Sequence, residues 1–245
     1  MAWYGGNLSE RACILSFSMR HTQGALALDT AFHLTEPWTV LFGPSGSGKT
    51  TILRAIAGLM RPAAGHIALQ STTLFDSTAK ISVPAHRRGV RLAAQAAALF
   101  PNMSVRRNIA FGVPAGSSEI ASEALHRFHL EPLAESMPWK LSGGERQRVA
   151  VARAAASALA HGNSLLLLDE PFAGLHLPLR DQLLDDLRNW LALRKTPVLS
   201  VTHDIGEAFQ LGAEVIKLSD GKVTQQGPVE LALAAERDYL ISRLG

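Results

Sequence analysis

A glycine-rich segment limits most strongly what this chain can fold into: Gly43-Pro44-Ser45-Gly46-Ser47-Gly48-Lys49-Thr50-Thr51. It follows the apolar run at 38–42 and precedes a helix-prone stretch at 49–59. Glycines allow backbone N–H groups to surround phosphate oxygens, and a helix N-terminus adds its positive dipole end. The segment therefore predicts a nucleotide-phosphate loop, with Lys49 at the β- and γ-phosphates and the Thr50 hydroxyl as a ligand of Mg²⁺.

The rest of the chain alternates between apolar strand-like runs and helix-like stretches, which predicts an α/β fold with a mostly parallel sheet covered on both faces. A helical stretch at 104–140 interrupts the alternation and predicts an inserted lobe. A turn is predicted at 75–77. Strands are expected at 12–18, 25–34, 66–70, 81–83, 164–169 and 197–201, and further helices at about 145–160, 179–193 and 204–211.

Two acidic residues end a buried strand, because Asp169 and Glu170 follow four consecutive leucines. Burying a charge without a partner is costly, so a functional partner is one explanation. A strand that simply reaches solvent is the other, and the two carry equal weight in isolation. With a phosphate loop upstream, the functional interpretation is favoured: Asp169 for Mg²⁺ and Glu170 for the attacking water.

A third segment combines helix capping with two bare glycines: Leu141-Ser142-Gly143-Gly144-Glu145-Arg146-Gln147. Ser142 and Glu145 have the spacing of a capping box ahead of an apolar-periodic helix. The glycines leave N–H groups accessible at that helix start, which suits a γ-phosphate presented by another molecule. Structural and functional interpretations are compatible here.

This last segment resembles the signature motif of ABC ATPases, and the other motifs agree with that family in order and spacing. The resemblance implies a P-loop NTPase of the ABC type, with a mostly parallel core sheet, an N-terminal antiparallel β subdomain and an inserted α-helical subdomain at about 103–160. It implies one ABC ATPase domain over 1–245, without a C-terminal regulatory domain. Two copies would enclose ATP head to tail, with Ser142, Gly143 and Gly144 completing the other copy's site.

The resemblance also implies roles for individual residues. Gln95 looks like the Q-loop glutamine, which links Mg²⁺ and the attacking water to a membrane subunit. Glu170 looks like the catalytic glutamate. His203 stands where the family has a histidine that contacts the γ-phosphate. The implied catalytic set is Glu170, His203, Gln95 and Lys49, and the implied Mg²⁺ ligands are Thr50, Gln95 and Asp169.

Three positions depart from the family pattern. The family usually has an aspartate where this chain has His176, and commonly an acid where it has Ala96. The aromatic residue expected to stack on adenine is missing, and Arg20 or His21 stands there instead. Either side chain has a planar group that can stack on a base. The departures put turnover and coupling in question, and leave the fold expectation intact.

The segment from Leu99 to Val105, with Asn108-Ile109-Ala110, resembles the importer ATPases for oxyanions, sugars and polyamines. Within that group, the brief N-terminal hairpin, residues 84–88 and the segment from Glu170 to Ala173 look most like the ATPase subunit of molybdate importers. This implies integral membrane permease partners, a periplasmic or extracellular substrate-binding protein, and a peripheral position on the cytoplasmic face of the inner membrane. Importers of sulfate, polyamines or sugars, a soluble ATPase such as those of iron–sulfur assembly, and an inactive regulatory cassette remain alternatives.

Composition argues against a membrane span, an internal disulfide and a nucleic-acid partner. No apolar run approaches the roughly 20 residues of a spanning helix, and residues 1–10 lack a signal-peptide pattern. A single cysteine, Cys13, rules out an internal disulfide. Lys and Arg number 24 against 21 Asp and Glu, and the basic residues are scattered, so a nucleic-acid partner is not expected.

Overall fold

The computed structural model describes residues 13–24 and 26–244 and contains two β-sheets and eight α-helices in that part of the chain. The strands are β1 (Leu15–Gln23), β2 (Leu26–Leu34), β3 (Trp38–Phe42), β4 (Ala64–Leu69), β5 (Thr72–Asp76), β6 (Ile81–Ser82), β7 (Val90–Ala93), β8 (Leu165–Asp169), β9 (Val198–Thr202), β10 (Glu214–Ser219) and β11 (Lys222–Pro228). The helices are α1 (Lys49–Ala57), α2 (Val105–Ala110), α3 (Ser118–Arg127), α4 (Gly143–Ala160), α5 (Leu177–Ala192), α6 (Ile205–Leu211), α7 (Val229–Ala232) and α8 (Ala234–Leu244).

The first sheet is antiparallel, with the order β2-β1-β4-β5-β6. Side chains along β2 alternate between buried and exposed, which is the pattern of a sheet with one face on the core. The predicted strands at 12–18 and 25–34 correspond to β1 and β2, and their first residues, Ala12 and Ala25, lie outside the described residues. The expectation about residues 1–10 lies outside them too.

The predicted turn at 75–77 is wrong for Phe75 and Asp76, which belong to β5. Phe75 is 1% exposed and pairs with Ile67 of β4, so burial of an aromatic side chain extends the strand. The turn begins one residue later. The Asp76 carboxylate accepts hydrogen bonds from the backbone N–H groups of Thr78 and Ala79, both at 2.8 Å.

The second sheet has the order β11-β10-β3-β9-β8-β7, and only the β10–β11 pair is antiparallel. Every residue of β3, β8 and β9 is buried, as expected for parallel strands covered on both faces. Helix α1 packs between the two sheets, where Ile52, Leu53 and Ile56 are fully buried. The sequence analysis gave no strand range for β7, β10 or β11; β10 and β11 lie at one edge of this sheet and β7 at the other.

Three helices, α2, α3 and α4, lie in the chain between β7 and β8. The stretch predicted to be helical at 104–140 holds α2 and α3, together with short 3-10 turns at Ala115–Ser117, Glu131–Leu133 and Pro138–Lys140. Proline marks the start of two of these turns, since Pro114 precedes the first and Pro138 begins the last. Across residues 13–24 and 26–244, none of the helices combines the length and apolarity needed to cross a membrane.

Candidate functional site

The candidate site lies at one edge of the parallel sheet, where the carboxyl ends of neighbouring strands meet. The glycine-rich loop follows β3, His203 follows β9, Glu170 follows β8 and Gln95 follows β7. Because these four strands are adjacent in the sheet, residues far apart in sequence come together. Ligands of open α/β sheets bind at this edge.

The glycine-rich loop positions a buried ammonium group. Lys49 is 6% exposed, and its Nζ donates to the carbonyl oxygens of Gly43 at 2.7 Å and Pro44 at 2.8 Å. Burial lowers the pKa of Lys49, while the charges of Glu170 and Asp169 act in the opposite direction. The loop therefore holds a positive charge in its interior.

The start of α1 depends on a glycine. Gly48 has φ of 103°, a conformation that L side chains rarely adopt, and a Cβ there would lie 2.4 Å from a methyl group of Leu28. No side chain caps this helix start. The Ser47 hydroxyl is buried without a hydrogen-bond partner. The positive end of the α1 dipole, the Lys49 ammonium and the Ser47 hydroxyl together form a cradle suited to an anion.

Asp169 contacts Thr50, which lies in the first turn of α1 directly after the glycine-rich loop. The Thr50 hydroxyl donates to Asp169 Oδ1 at 3.3 Å, and Asp169 is 3% exposed. Burial is the main cause that raises the pKa of Asp169, and the neighbouring Glu170 raises it further, while Thr50 and Lys49 lower it. A divalent cation at this point would replace the missing solvation of the carboxylate.

Glu170 connects the loops that follow β7 and β9. Its Oε2 accepts a hydrogen bond from Gln95 Nε2 at 3.0 Å, and its Oε1 lies 2.9 Å from His203 Nδ1. Glu170 has φ of 48°, an uncommon value for a residue other than glycine. The structure thus brings together all six residues predicted for catalysis and metal binding: Lys49, Thr50, Gln95, Asp169, Glu170 and His203.

The segment at 142–144 starts α4 and has its own local geometry. The predicted capping box is present: the Ser142 hydroxyl accepts from the N–H of Glu145 at 3.3 Å, and the Glu145 carboxylate accepts from the N–H of Ser142 at 2.7 Å. A Cβ on Gly143 would meet nothing within 4 Å, whereas one on Gly144 would lie 2.7 Å from a methyl group of Leu175. The hydroxyl and the N–H of Ser142 both bond to Glu145, not to the phosphate loop.

The structure separates the two candidates for base stacking. His21 pairs with Leu28 across β1 and β2, so both side chains lie on the sheet face that contacts Gly48. His21 Nδ1 is buried without a hydrogen-bond partner. Arg20 points to the opposite face, where it lines a cleft of about 570 Å³ with Asp29 and other polar residues. His21 is therefore the candidate on the phosphate-loop side.

The other two departures lie on the surface. His176 is exposed and precedes α5, with no side-chain hydrogen bond to the helix start. Ala96 is exposed next to Gln95.

Sequence analysis missed a polar network around His203. The Thr202 hydroxyl donates to Glu207 Oε2 at 2.8 Å and accepts from the N–H of Asp204 at 3.0 Å. Asp204 caps α6 and forms an ion pair with Arg180 of α5. Burial raises the pKa of Glu207 to about 7. A charged residue on the apolar stripe of α6, next to Ala208, was the available signal.

Comparisons with known proteins found similarity over most of the chain. A family model described as ABC transporter matches residues 32–173. The molybdenum import ATP-binding proteins ModC of Rhizobium etli and Mesorhizobium japonicum are 43% and 39% identical to the chain over 209 and 217 residues. These alignments cover 84% and 87% of the chain and 58% of each relative. The chain thus spans less than two thirds of the length of these curated relatives.

A solved structure is similar over most of its length. It is titled the dimeric structure of a post-hydrolysis state of an ATP-binding cassette bound to ADP and Pi. The TM-score is 0.71 at 26% identity, and the match covers 88% of this chain and 98% of that one.

Proposed function

This chain belongs to the ABC transporter family, and we propose that it is the ATP-hydrolysing subunit of an importer for molybdate or a related oxyanion. The observation that carries the proposal is the pair of contacts from Glu170 to Gln95 and His203, next to the contact between Thr50 and Asp169. The names of the similar ModC proteins support the substrate class.

In this proposal the glycine-rich loop binds the phosphates of ATP. The Lys49 ammonium exchanges the carbonyl oxygens of Gly43 and Pro44 for phosphate oxygens, which are stronger, charged acceptors. The Ser47 hydroxyl, buried without a partner, gains an acceptor or donor at the same time. The remaining residues assigned to the nucleotide are Ser45, Gly46, Gly48, Thr50 and Thr51.

The donor set also fits Mg²⁺, a hard cation that prefers oxygen ligands. We assign Thr50, Asp169 and the side-chain oxygen of Gln95 as its ligands, since the first two are already in contact. When bound, the ion neutralises charge on the phosphates. Burial of Asp169 beside Lys49 gives a carboxylate whose charge is screened little by water, which favours a cation there.

Hydrolysis needs a water molecule aligned with the γ-phosphorus. Glu170 accepts a proton or hydrogen bond from that water, so that the new P–O bond forms as the bond to the ADP oxygen breaks. Gln95 and His203 fix the orientation of the Glu170 carboxylate through their hydrogen bonds. His203 is 58% exposed on its side chain, so its ring remains accessible to a γ-phosphate.

We further propose a head-to-tail dimer in which Ser142, Gly143 and Gly144 complete the nucleotide site of a second copy. Open space at Gly143 and the local capping of α4 support this role. The residues at about 103–160 form a helical subdomain that receives the permease, inside one ABC ATPase domain. The assembly lies at the cytoplasmic face of the membrane and receives its substrate from a separate binding protein.

The test has two stages. First, the purified chain should hydrolyse Mg-ATP, and Lys49→Ala should lose most ATP affinity or turnover, because no other buried cation lies in the loop interior as the structure describes it. Equal turnover of variant and parent would contradict the site. Second, the chain reconstituted with its permease should support ATP-dependent molybdate uptake. Uptake of only sulfate, a polyamine or a sugar would overturn the substrate assignment.

A further inference from the structure

The three residues around His203 form a compact hydrogen-bonded unit with one buried carboxyl group. Thr202 is 3% exposed and Glu207 is 5% exposed. The Thr202 hydroxyl bridges the N–H of Asp204 and the Glu207 carboxyl group, and Asp204 Oδ1 accepts from the N–H of Glu207 at 3.1 Å. His203 lies inside this loop of contacts, so its backbone is held from both sides.

We propose that Glu207 is a positioning residue for hydrolysis, which holds His203 against Glu170 through Thr202 and Asp204. The proposal rests on the proposed ATPase function. Glu207 does not touch the nucleotide in this scheme. It acts by limiting the backbone freedom of the segment at 202–204, and thereby the distance between His203 Nδ1 and Glu170 Oε1.

The chemistry of this position argues for more than packing. A buried carboxyl group is costly, and Glu207 Oε1 has no hydrogen-bond partner. An apolar side chain of similar volume would fill the space at lower cost in free energy. The other buried residues of this helix, Ala208 and Leu211, are apolar. An apolar side chain cannot accept the hydrogen bond that the Thr202 hydroxyl donates, and that hydrogen bond fixes the segment that carries His203.

A second contact extends the network to the start of α5. The Arg180 guanidinium of α5 pairs with Asp204 Oδ2. The backbone N–H of Arg180 donates to the carbonyl oxygen of His176 at 3.1 Å. The residue after His203 is thus linked to the start of α5, one residue beyond Leu175, which lies over Gly144. One ion pair within the chain therefore joins the first turn of α5 to the segment that carries His203.

The charges that face Glu207 come from three elements. Arg180 of α5 favours the ionised carboxylate, whereas Asp204, preceding α6, and Glu170, following β8, oppose it. Burial opposes ionisation most strongly. An amide side chain therefore resembles the neutral form of Glu207, which supplies the matched variant needed for a test.

The experiment compares Glu207→Ala, Glu207→Gln, Thr202→Val and the double variant Glu207→Ala/Thr202→Val. We expect Glu207→Ala to lower kcat about tenfold or more with ATP affinity within about twofold, because small displacements of a catalytic group reduce rates steeply. Glu207→Gln should restore most of kcat, since its amide oxygen accepts the same hydrogen bond. Thr202→Val should resemble Glu207→Ala, and the double variant should be no worse than either.

Glu230→Ala is the matched control, because Glu230 is an exposed acid in the first turn of another helix. Unchanged kcat in a folded Glu207→Ala variant would overturn the proposal, as would equal losses in the glutamine and alanine variants. A parallel loss of ATP affinity would indicate a structural role only and would also overturn it.

A readout without turnover separates this proposal from the ATPase assignment. The backbone amide signal of Asp204, which donates to Thr202, is followed by NMR in a His203→Gln background, so that the imidazole does not contribute. Glu207→Ala should move that signal, and Glu207→Gln should leave it close to the parent position. If the parent chain hydrolyses no ATP, the proposed function fails while this signal still reports the network. A signal that Glu207→Ala leaves in place would contradict the positioning role.

Discussion

His203 Nδ1 lies 2.9 Å from Glu170 Oε1, although the two residues are separated by an entire helix and strand. The other carboxylate oxygen of Glu170 accepts from Gln95. Both oxygens of one carboxylate are therefore directed by side chains from the two flanking loops. Such double support fixes the plane of the carboxylate, which a group that aligns an attacking water requires.

Glu170→Gln should retain nucleotide binding and lose hydrolysis. The amide keeps the size of the side chain and one acceptor, but it cannot take a proton from water, so kcat should fall by about 100-fold or more. ATP should then hold two chains together, which size-exclusion chromatography with and without ATP would detect. A variant that hydrolyses ATP at the parent rate would remove Glu170 from the mechanism.

Cysteines placed at Phe100 or Asn102 should crosslink to an integral membrane protein. Asn102 is exposed, and Phe100 packs against Phe111 with ring centroids 4.2 Å apart while Arg153 lies over its face. This surface adjoins the loop of Gln95, so a permease bound here could sense the site. Crosslinked products would be identified by mass spectrometry from membranes that contain the whole importer. Products containing only soluble proteins or nucleic acid would favour the non-transport alternatives.

The sequence was sufficient to predict those elements whose conformation has one dominant local cause. The glycine-rich loop, the capping box of Ser142 and the fully apolar strand β8 are such cases, and their bounds differ from prediction by one or two residues. β5 was missed because Asp76 and Ser77 are turn-formers, while pairing with β4 and burial of Phe75 decide its conformation.

The contacts within the candidate site depend on residues that are distant in sequence, and the sequence alone did not predict them. That Glu170 and His203 meet could be expected only through the family resemblance, since 33 residues separate them. The choice between Arg20 and His21 required the register of β1 with β2, because a shift of one residue exchanges the two sheet faces. Glu207 escaped notice because its burial depends on the packing of α6 against the sheet.

His21→Ala should weaken ATP binding by about tenfold, while Arg20→Ala should leave it unchanged. Stacking of an aromatic plane on a base contributes about 1–3 kcal/mol, and only His21 lies on the face that contacts Gly48. Isothermal titration calorimetry with ATP and with inorganic tripolyphosphate would separate the base from the phosphates. The variant should bind tripolyphosphate as the parent does. Equal effects of both variants on ATP affinity would contradict the assignment of His21.

Glu207 should also make the stability of the fold depend on pH. Its pKa is about 7 in the folded chain and near the ordinary 4.5 when unfolded, so the folded state binds the proton more tightly. The free energy of unfolding from this group is therefore highest below pH 4.5, falls as pH rises towards 7, and stays low above it. Integrated over this range, the loss is about 3 kcal/mol.

Glu207→Gln carries no titrating group, so its stability relative to the parent should increase between pH 5 and pH 8. Urea unfolding of both proteins at several pH values, followed by circular dichroism, measures the difference. Glu230→Gln serves as the control, because it makes the same change at an exposed acid on another helix. If the free energies of unfolding of the parent and of Glu207→Gln changed in parallel with pH, the prediction would be wrong. Glu207 would then ionise as easily in the folded chain as in the unfolded one, and the contacts with Thr202 and Arg180 would not account for the solvation of its carboxyl group.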